Sequence, residues 1–483
     1  MDRALLRQLR RLVPAERVLT DVGERSLYDS DGLGLHRAQP DGVVIAVTAR
    51  EVQQVVALLH RAGRPFVPRG AGTGLSGGAV PLHGAWVIDV NRMRSIVRIE
   101  PRDRYAVVEP GVVNLDLDRA AARHGLRFAP DPSSQKACTL GGNIAENSGG
   151  PHCFLHGMTT RHVLGLTVVL PNGEWLRVGG PPGTAIDDDW RGLFVGSEGT
   201  FGITVEAVVA LIPRPEEVRT CLAAFTSLRA ACDAVARVIR AGLRPAALEI
   251  LDQLTIRAVE ASVYRAGYPQ EAEAVLLIDQ EGIDAEVTEE AAIIEQTCRD
   301  LGALSYEVAA SEAERARLWM GRKGAFGAMG RIDRDLYVLD GVVPRRHLAE
   351  VVERVQEIGA RHRVTLSNVF HAGDGNLHPN ISFDARNPEV TARVLAAGRE
   401  ILELCVAVGG TLSGEHGIGL EKREFMPLVF SDDDLGTQVA IRDAVDPGRL
   451  ANPGKIFPSG RGCVEAGHRT RDHEAQARRV LDP

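Results

Sequence analysis

Apolar and polar positions along this chain follow two different rhythms. From Asp41 the run GVVIAV reads as a strand, AREVQQVVALLHRAG places Val52, Val55, Val56 and Leu59 on one helical face, and PFVPR reads as a second strand. That strand runs into GAGTGLSGGAV (70–80), and the element after it is another strand, AWVIDV, rather than a helix. Between about residues 216 and 445 the texture changes. Long helical stretches (SLRAACDAVARVIRAG, AEVTEEAAIIEQTCRDLG, LAEVVERVQEIGARH) alternate with strands (AVLLIDQEG, DLYVLDGVV, TLSNVFHA, HPNISF). This pattern predicts a second domain, an antiparallel sheet covered on one face by helices, in an α+β chain. The start, MDRALLRQLRRLVPAERVLT, is basic and amphipathic without a long apolar run, which predicts a surface helix rather than a transit peptide. No run approaches the roughly 20 apolar residues of a membrane span, so no transmembrane segment is expected. The polar stretch from Ser459 to Pro483 reads as a mobile tail.

The loop at 70–80 is one of three rich in small residues. The second is DPSSQKACTLGGNIAENSGGPHCFLHGMT (131–159) and the third GSEGTFGIT (196–204). A glycine-rich loop after a strand suggests a nucleotide site, yet a Rossmann unit would begin a helix there, and this chain does not. Clustered backbone N–H groups can still cradle a pyrophosphate. Three such loops in one half of the chain point to an extended, dinucleotide-sized ligand threaded along backbone, with Ser, Thr and Asn supplying hydrogen bonds.

In the second half, FHAGDGNLHP (370–379) sets two histidines seven apart across glycines. Asp374-Gly375 is a preferred two-residue hairpin turn, and counting outward from it pairs Gly373 with Asn376, Ala372 with Leu377, and His371 with His378. Opposed side chains lie about 5 Å apart at Cβ, close enough for two imidazoles to share one metal ion. A catalytic zinc takes three protein ligands, so a third is needed. TLSGEHGIGLEKREF (411–425) offers Glu415 and His416 between glycines; neighbours on an extended chain point to opposite sides, so one can bind metal while the other faces a substrate. Spacing does not assign the two roles.

Composition narrows the classes. The 483 residues suffice for two or three domains, and a net charge of -8 with no basic, aromatic stripe excludes a general nucleic-acid surface. The only lysines are Lys136, Lys323, Lys422 and Lys455, a bias read as genomic base composition rather than phosphate recognition. Seven scattered cysteines without a C-x-x-C pair exclude the usual iron–sulfur and structural-zinc patterns and suggest reduced thiols in the cytoplasm.

Taken in order, PRGAGTGLSGG, DPSSQKACTLGGNIAENSGG, GSEGTFGI, LWMGRKGAFGAMGRI, FHAGDGNLHP, SGEHGIGLEKREFM and NPGKIF cover roughly residues 5 to 458. On these motifs the chain resembles the flavin-linked D-2-hydroxy-acid dehydrogenases of the vanillyl-alcohol oxidase superfamily, of the glycolate oxidase and D-lactate dehydrogenase type. The resemblance implies a two-subdomain FAD-binding domain of the vanillyl-alcohol oxidase type (36–215) after an N-terminal helical segment (1–35). It implies a cap domain with the metal site (216–445), a C-terminal return to the FAD domain (446–458), and chemistry where the two domains join. FAD would be lined by Arg69, Gly70, Gly72, Thr73, Gly74, Leu75, Ser76, Pro132, Ser133, Thr139, Gly142, Asn143, Asn147, Gly149, Glu198, Gly199 and Ile203, with Asn452 closing over it. Leu75 stands where covalent relatives carry a histidine and Cys138 is one place off their cysteine, so FAD is expected to be noncovalent.

The same resemblance assigns His371, His378 and Glu415 to a divalent metal, most simply zinc, with Asp374 and Asn376 beside them. It makes His416 the general base and Arg322 the carboxylate clamp, a planar fork suited to that task. In the branch acting on dicarboxylates, a threonine and a lysine hold the second carboxylate; Phe326 and Val338 stand there instead. An unpaired carboxylate in an apolar pocket is costly, so the expected substrate is a small monocarboxylate, glycolate or D-lactate. The rival readings are a dehydrogenase for a longer or dicarboxylic D-2-hydroxy acid and a non-catalytic flavin-binding subunit of an oxidase complex. Electrons would leave through a quinone, oxygen, or separate FAD-binding and iron–sulfur partner subunits, with attachment to the inner face of the membrane only through partners.

Overall fold

The helical face expected near residue 50 forms as Ala49–Arg61, started by Thr48, whose hydroxyl accepts from the Glu51 N–H at 3.2 Å. Its buried stripe is Val52, Val55, Val56, Leu58 and Leu59, each side chain contributing about 1.5–3 kcal/mol of burial. The stripe packs into a core with Val44, Phe66, Trp86 and Ile88 of the neighbouring sheet and with Leu5 and Leu9 of the N-terminal helix Arg3–Leu12. The computed structural model describes residues 2–184 and 188–459; the expected mobile tail lies outside the described residues, apart from Ser459. Contacts divide the chain into one unit of residues 1–148, 158–213 and 415–483 and a second of residues 149–157 and 214–414.

The first unit holds two sheets, as a two-subdomain domain requires. One has four strands in the order Val18–Leu19, Gly42–Ile45, Trp86–Asp89, Phe66–Arg69, with the last three mutually parallel. The strand after the first glycine-rich loop therefore lies beside the strand before it, which is how the chain continues without a Rossmann helix. The other sheet is antiparallel, in the order Ile96–Glu100, Tyr105–Val108, Ile203–Ala210, Val163–Val169, Trp175–Gly179. The chain re-enters this unit at Glu415, ahead of the expected residue 446, because Leu420 and Glu421 both donate their N–H groups to the Ser76 carbonyl.

The second unit is built on seven antiparallel strands in the order Ala303–Val308, Glu217–Phe225, Ala274–Gly282, Ala247–Asp252, Thr365–His371, Pro379–Phe383, Asp335–Val338. One face carries Leu222, Ala224, Leu251, Val275, Leu277 and Val369, packed with Trp319, Ala325 and Met329 of the helices Glu312–Lys323 and Ala325–Met329. The alternate residues on the other face, among them Ala223, Phe225, Ile250, Leu276, Ile278 and Phe370, are buried as well. The helices Leu228–Arg240, Asp284–Asp300, Leu348–His362 and Pro388–Ala407 also pack on the sheet. The sheet is thus covered on both faces, not on one as the alternation of helices and strands suggested; near-continuous apolar runs such as AVLLI are what a doubly covered strand needs.

Asp252 ties this sheet to its helices. It ends one strand and caps Gln253–Glu260, accepting from the Thr255 N–H and hydroxyl at 2.9 and 2.8 Å, while its other oxygen takes the Asn368 N–H at 2.6 Å. Burial pushes its pKa up to about 6. Asp252→Ala removes a cap and strands a buried N–H, so the second unit is expected to lose about 2–4 kcal/mol, read as a lower urea midpoint.

Candidate functional site

The hairpin of the two histidines forms with a different register. His371 donates its N–H to the Asn376 carbonyl at 3.1 Å and bridges Asn376, and Asn368 pairs with Pro379. The turn spans Ala372–Gly375, four residues instead of the expected Asp374-Gly375 pair, and an Asx contact from the Asn376 N–H to Asp374 Oδ1 (3.1 Å) closes it. His378 therefore sits diagonal to His371, not opposite it. A shift of two residues keeps both side chains on the same face of the sheet. The rings meet edge to face with centroids 5.1 Å apart, and their ligating nitrogens lie within 4.8 Å of one another.

Both imidazoles are held through Nδ1. His371 Nδ1–H donates to the Glu249 carboxylate, 2.8 and 2.9 Å from its two oxygens, and Glu249 is the residue opposite His371 on the adjoining strand. His378 Nδ1–H donates to the Leu339 carbonyl at 3.1 Å, with Asp340 Oδ1 3.9 Å away. Engaging Nδ1 fixes the tautomer that leaves the Nε2 lone pair for a ligand, which is how metal-binding histidines are oriented. The two histidines fit a divalent ion.

Arg322, on the helix Glu312–Lys323, is fully buried beside them. Its Nε and Nη2 each lie 2.6 Å from Glu249 Oε2, while Nη1 is buried with no hydrogen-bond partner among the described residues. One edge of the fork is therefore occupied by Glu249, and the corner that remains is Nη1. Phe326 lies edge-on to His378 at 6.2 Å, and Val338 is buried opposite Asn380. The surroundings of Val338 are less apolar than expected, because Asn380, on the same face as His378, is fully buried with Oδ1 unpartnered among the described residues and Nδ2 given to the His378 carbonyl at 2.8 Å.

The Glu415–His416 loop is tethered on either side. Within the second unit, Asp340 accepts from the Ser413 hydroxyl at 2.6 Å and from the Gly414 N–H at 3.1 Å. Within the first, the Glu198 carboxylate accepts from the Ile418 and Gly419 N–H groups at 2.7 and 2.8 Å. Gly417, at φ 87°, has no room for a side chain because Glu146 and Glu198 converge on it. Burial raises the pKa of both glutamates, and their mutual repulsion adds to the effect at Glu146.

The three small-residue loops, apart from residues 149–157 of the second, lie in the first unit. Gly70 lies against the Thr139 hydroxyl where a Cβ would clash, joining the first loop to the second. Gly196 and Glu198 donate N–H groups to the Ile144 and Ala145 carbonyls at 2.8 Å each, joining the third loop to the second. Asn452 Nδ2 reaches the Gly78 carbonyl at 2.9 Å and the Glu198 carbonyl at 2.6 Å, bonding first and third loops together. Arg69 is turned inward, onto the Ser30 carbonyl (2.7 Å) and the Tyr28 ring. Gly149 groups with the second unit by its contacts. The small residues of this cradle suit close approach by a dinucleotide.

Residues 40–179 match the FAD binding domain family, and residues 214–456 match FAD linked oxidases, C-terminal domain. The chain belongs to the FAD-linked oxidases. It is 44% identical over 464 residues to the glycolate oxidase subunit GlcD of Escherichia coli K12, covering 96% of this chain and 93% of that protein. It is 30% identical over 466 residues to a D-lactate dehydrogenase of Anaerostipes hadrus, covering 94% and 97%. In fold it is similar to p-cresol methylhydroxylase (TM-score 0.79, 18% identity, 94% of this chain and 96% of that one). It is also similar to 4-ethylphenol oxidase from Gulosibacter chungangensis (TM-score 0.77, 20% identity, 94% and 97%). The expected vanillyl-alcohol-oxidase-type fold and an FAD-dependent oxidoreductase follow. No described helix is long and apolar enough to cross a membrane.

In this FAD-linked oxidase, sequence reasoning passed over Glu249 and Asp340. The only signal for Glu249 is one acid in the otherwise apolar strand AALEIL. Glu198, placed by resemblance against FAD, has its carboxylate on the loop after His416. Glu198→Gln sets an amide N–H against a backbone N–H. Losing about 1.5–3 kcal/mol there should speed hydrogen exchange at Ile418 and Gly419 by roughly ten- to a hundredfold with FAD content unchanged. FAD loss with unchanged exchange would return Glu198 to the cofactor.

Proposed function

We propose that this chain oxidises a small D-2-hydroxy monocarboxylate, glycolate or D-lactate, to the 2-oxo acid. The observation that carries the reading is the set of buried groups on one face of the cap sheet: two histidines held through Nδ1 beside an arginine whose Nη1 has no partner among the described residues. Such a set suits the two functional groups of a 2-hydroxy acid, a hydroxyl and a carboxylate. The names of the glycolate oxidase and D-lactate dehydrogenase relatives support the same substrate class.

In this reading His371 and His378 would hold a divalent ion together with Glu415, the residue that follows the Asp340-tethered Gly414. Two nitrogens and one carboxylate oxygen match a catalytic zinc site with an open position. When bound, the ion supplies Lewis acidity that lowers the hydroxyl pKa, and FAD supplies the acceptor for the C2 hydride. His416 takes the hydroxyl proton, its position limited by the anchors at Gly414 and Ile418. Arg322 meets the substrate carboxylate through Nη1, the edge that Glu249 leaves. Asn380 Oδ1 is an acceptor and repels a second carboxylate, while Phe326 and Val338 offer it no donor. Cys138 is buried, with its thiol pKa pushed up to about 11, and Leu75 has no attachment chemistry, which supports noncovalent FAD. A quinone, oxygen or partner subunits of the kind the GlcD subunit name implies would take the electrons onward.

Following flavin bleaching anaerobically, kcat/KM for glycolate and D-lactate should exceed that for D-2-hydroxyglutarate; the reverse order sinks the monocarboxylate reading. His416→Ala should still bind substrate but reduce flavin about 10²–10⁴-fold more slowly. Elemental analysis should find about one zinc per chain, absent in His378→Ala, whose FAD is retained and leaves with the supernatant on acid precipitation. Metal content unaffected by that substitution would remove His378 from the site.

A further inference from the structure

We propose that Glu249 is the positioning residue of the cap site, setting the metal-facing histidine and the carboxylate-facing arginine through one side chain. The proposal rests on the reading that His371 holds a divalent ion and Arg322 a carboxylate, and it adds what makes the two act together.

The geometry is a closed triangle. Glu249 and Arg322 are fully buried and His371 nearly so. Glu249 takes the His371 Nδ1–H, and its Oε2 takes both Nε and Nη2 of Arg322 at 2.6 Å, while Arg322 Nη2 comes within 3.4 Å of His371 Nδ1. The close approach of Nη2 to a protonated Nδ1 is tolerable only because a carboxylate stands between them and accepts from both. Glutamine has one acceptor oxygen and would turn its own N–H groups toward one of two donors.

Two consequences follow. The Glu249 contact makes His371 a donor at Nδ1, so Nε2 is the ligating atom and the imidazole becomes a stronger base toward a metal. By occupying the Nε–Nη2 edge, the same carboxylate fixes the guanidinium plane and leaves Nη1 as the remaining corner, buried and unpartnered among the described residues. A buried ion pair is weak support for stability, because desolvation offsets the attraction. Here its effect is geometric: where the histidine goes, the arginine goes with it. Glu249 can do this because it faces His371 across the sheet from the strand Ala247–Asp252, whose far end is secured by Asp252. The strand, rather than a loop, carries the template.

The experiment compares wild type, Glu249→Gln and His378→Ala as FAD-loaded protein stripped of metal and retitrated with Zn²⁺ against a competing chromogenic chelator. Glu249→Gln is expected to bind Zn²⁺ about 10–100-fold more weakly at unchanged FAD content. Saturating Zn²⁺ should restore kcat in that variant but leave KM for the hydroxy acid raised, because Arg322 stays misplaced when His371 is reloaded. A merely structural glutamate would not separate kcat from KM in this way. Wild-type Zn²⁺ affinity in Glu249→Gln, or KM restored by excess Zn²⁺, overturns the proposal. Wild type and His378→Ala binding Zn²⁺ equally would overturn the metal reading itself, together with the His371 half of this one. If Glu249→Gln yields no soluble flavoprotein, Glu249→Asp keeps the charge with a shorter reach and is read by the same two ratios.

Discussion

The contact of the Glu249 carboxylate with Arg322 and His371, none of them open to water, is the interaction around which the cap site is arranged. A carboxylate taken out of water must be given donors or it neutralises. The same constraint recurs. Asp252 is satisfied by Thr255 and Asn368, Asp279 by the Trp319 indole N–H and the Thr220 hydroxyl, Asp340 by Ser413 and Gly414, and Glu198 by Ile418 and Gly419. In each case the donors belong to a segment distant in sequence or turning sharply. Burying an acid thus fixes the placement of that segment, because moving it would strand a charge.

This arrangement explains why so much of the second unit's sheet could be read from hydrophobic pattern while its site could not. The strands AVLLIDQEG and TLSNVFH and the helix LAEVVERVQEIGARH appear where periodicity puts them, at Ala274–Gly282, Thr365–His371 and Leu348–His362. Burial of apolar side chains decides those elements, and burial leaves a periodic trace. Glu249, Asp340 and Glu198 leave none, since a lone acid in an apolar strand or loop looks the same whether it faces solvent or a distant histidine. Lys422 and Lys455 are a missed signal of the same kind. In a chain with four lysines, two are fully buried, and the pKa of Lys455 falls to about 7 through burial. Base composition accounts for the scarcity of lysine but not for where it is kept.

The hairpin shows which sequence inferences survive an error. Asp-Gly predicts a two-residue turn from local backbone preference, but Ala372 donates its N–H to the Leu248 carbonyl on the neighbouring strand, so the turn widens to four residues. Tertiary pairing overrode the local choice. The histidines stayed together because the displacement was even, and a slip of one residue would have sent one of them to the opposite face. Their proximity was therefore a sound inference reached through a wrong register. Asn380 entered the same face by the same periodicity, which is why the surroundings of Val338 carry a polar atom that Phe326 and Val338 alone did not suggest.

The loop SGEHGIG brings these constraints together. Its first two residues, Ser413 and Gly414, are bound to Asp340, and its last two, Ile418 and Gly419, donate to Glu198, so three residues, Glu415, His416 and Gly417, lie between the two anchored pairs. Glycine at 417 is required there, since its φ is positive and Glu146 and Glu198 leave no space for a side chain. Glu415 and His416 on so short a tether cannot be repositioned independently: any change that loosens one anchor moves both side chains at once. Covalent geometry thus ties the placement of Glu415 to that of His416, as the Glu249 carboxylate ties His371 to Arg322 by charge. The two ties share no residue, and in both a buried carboxylate is the acceptor that fixes position.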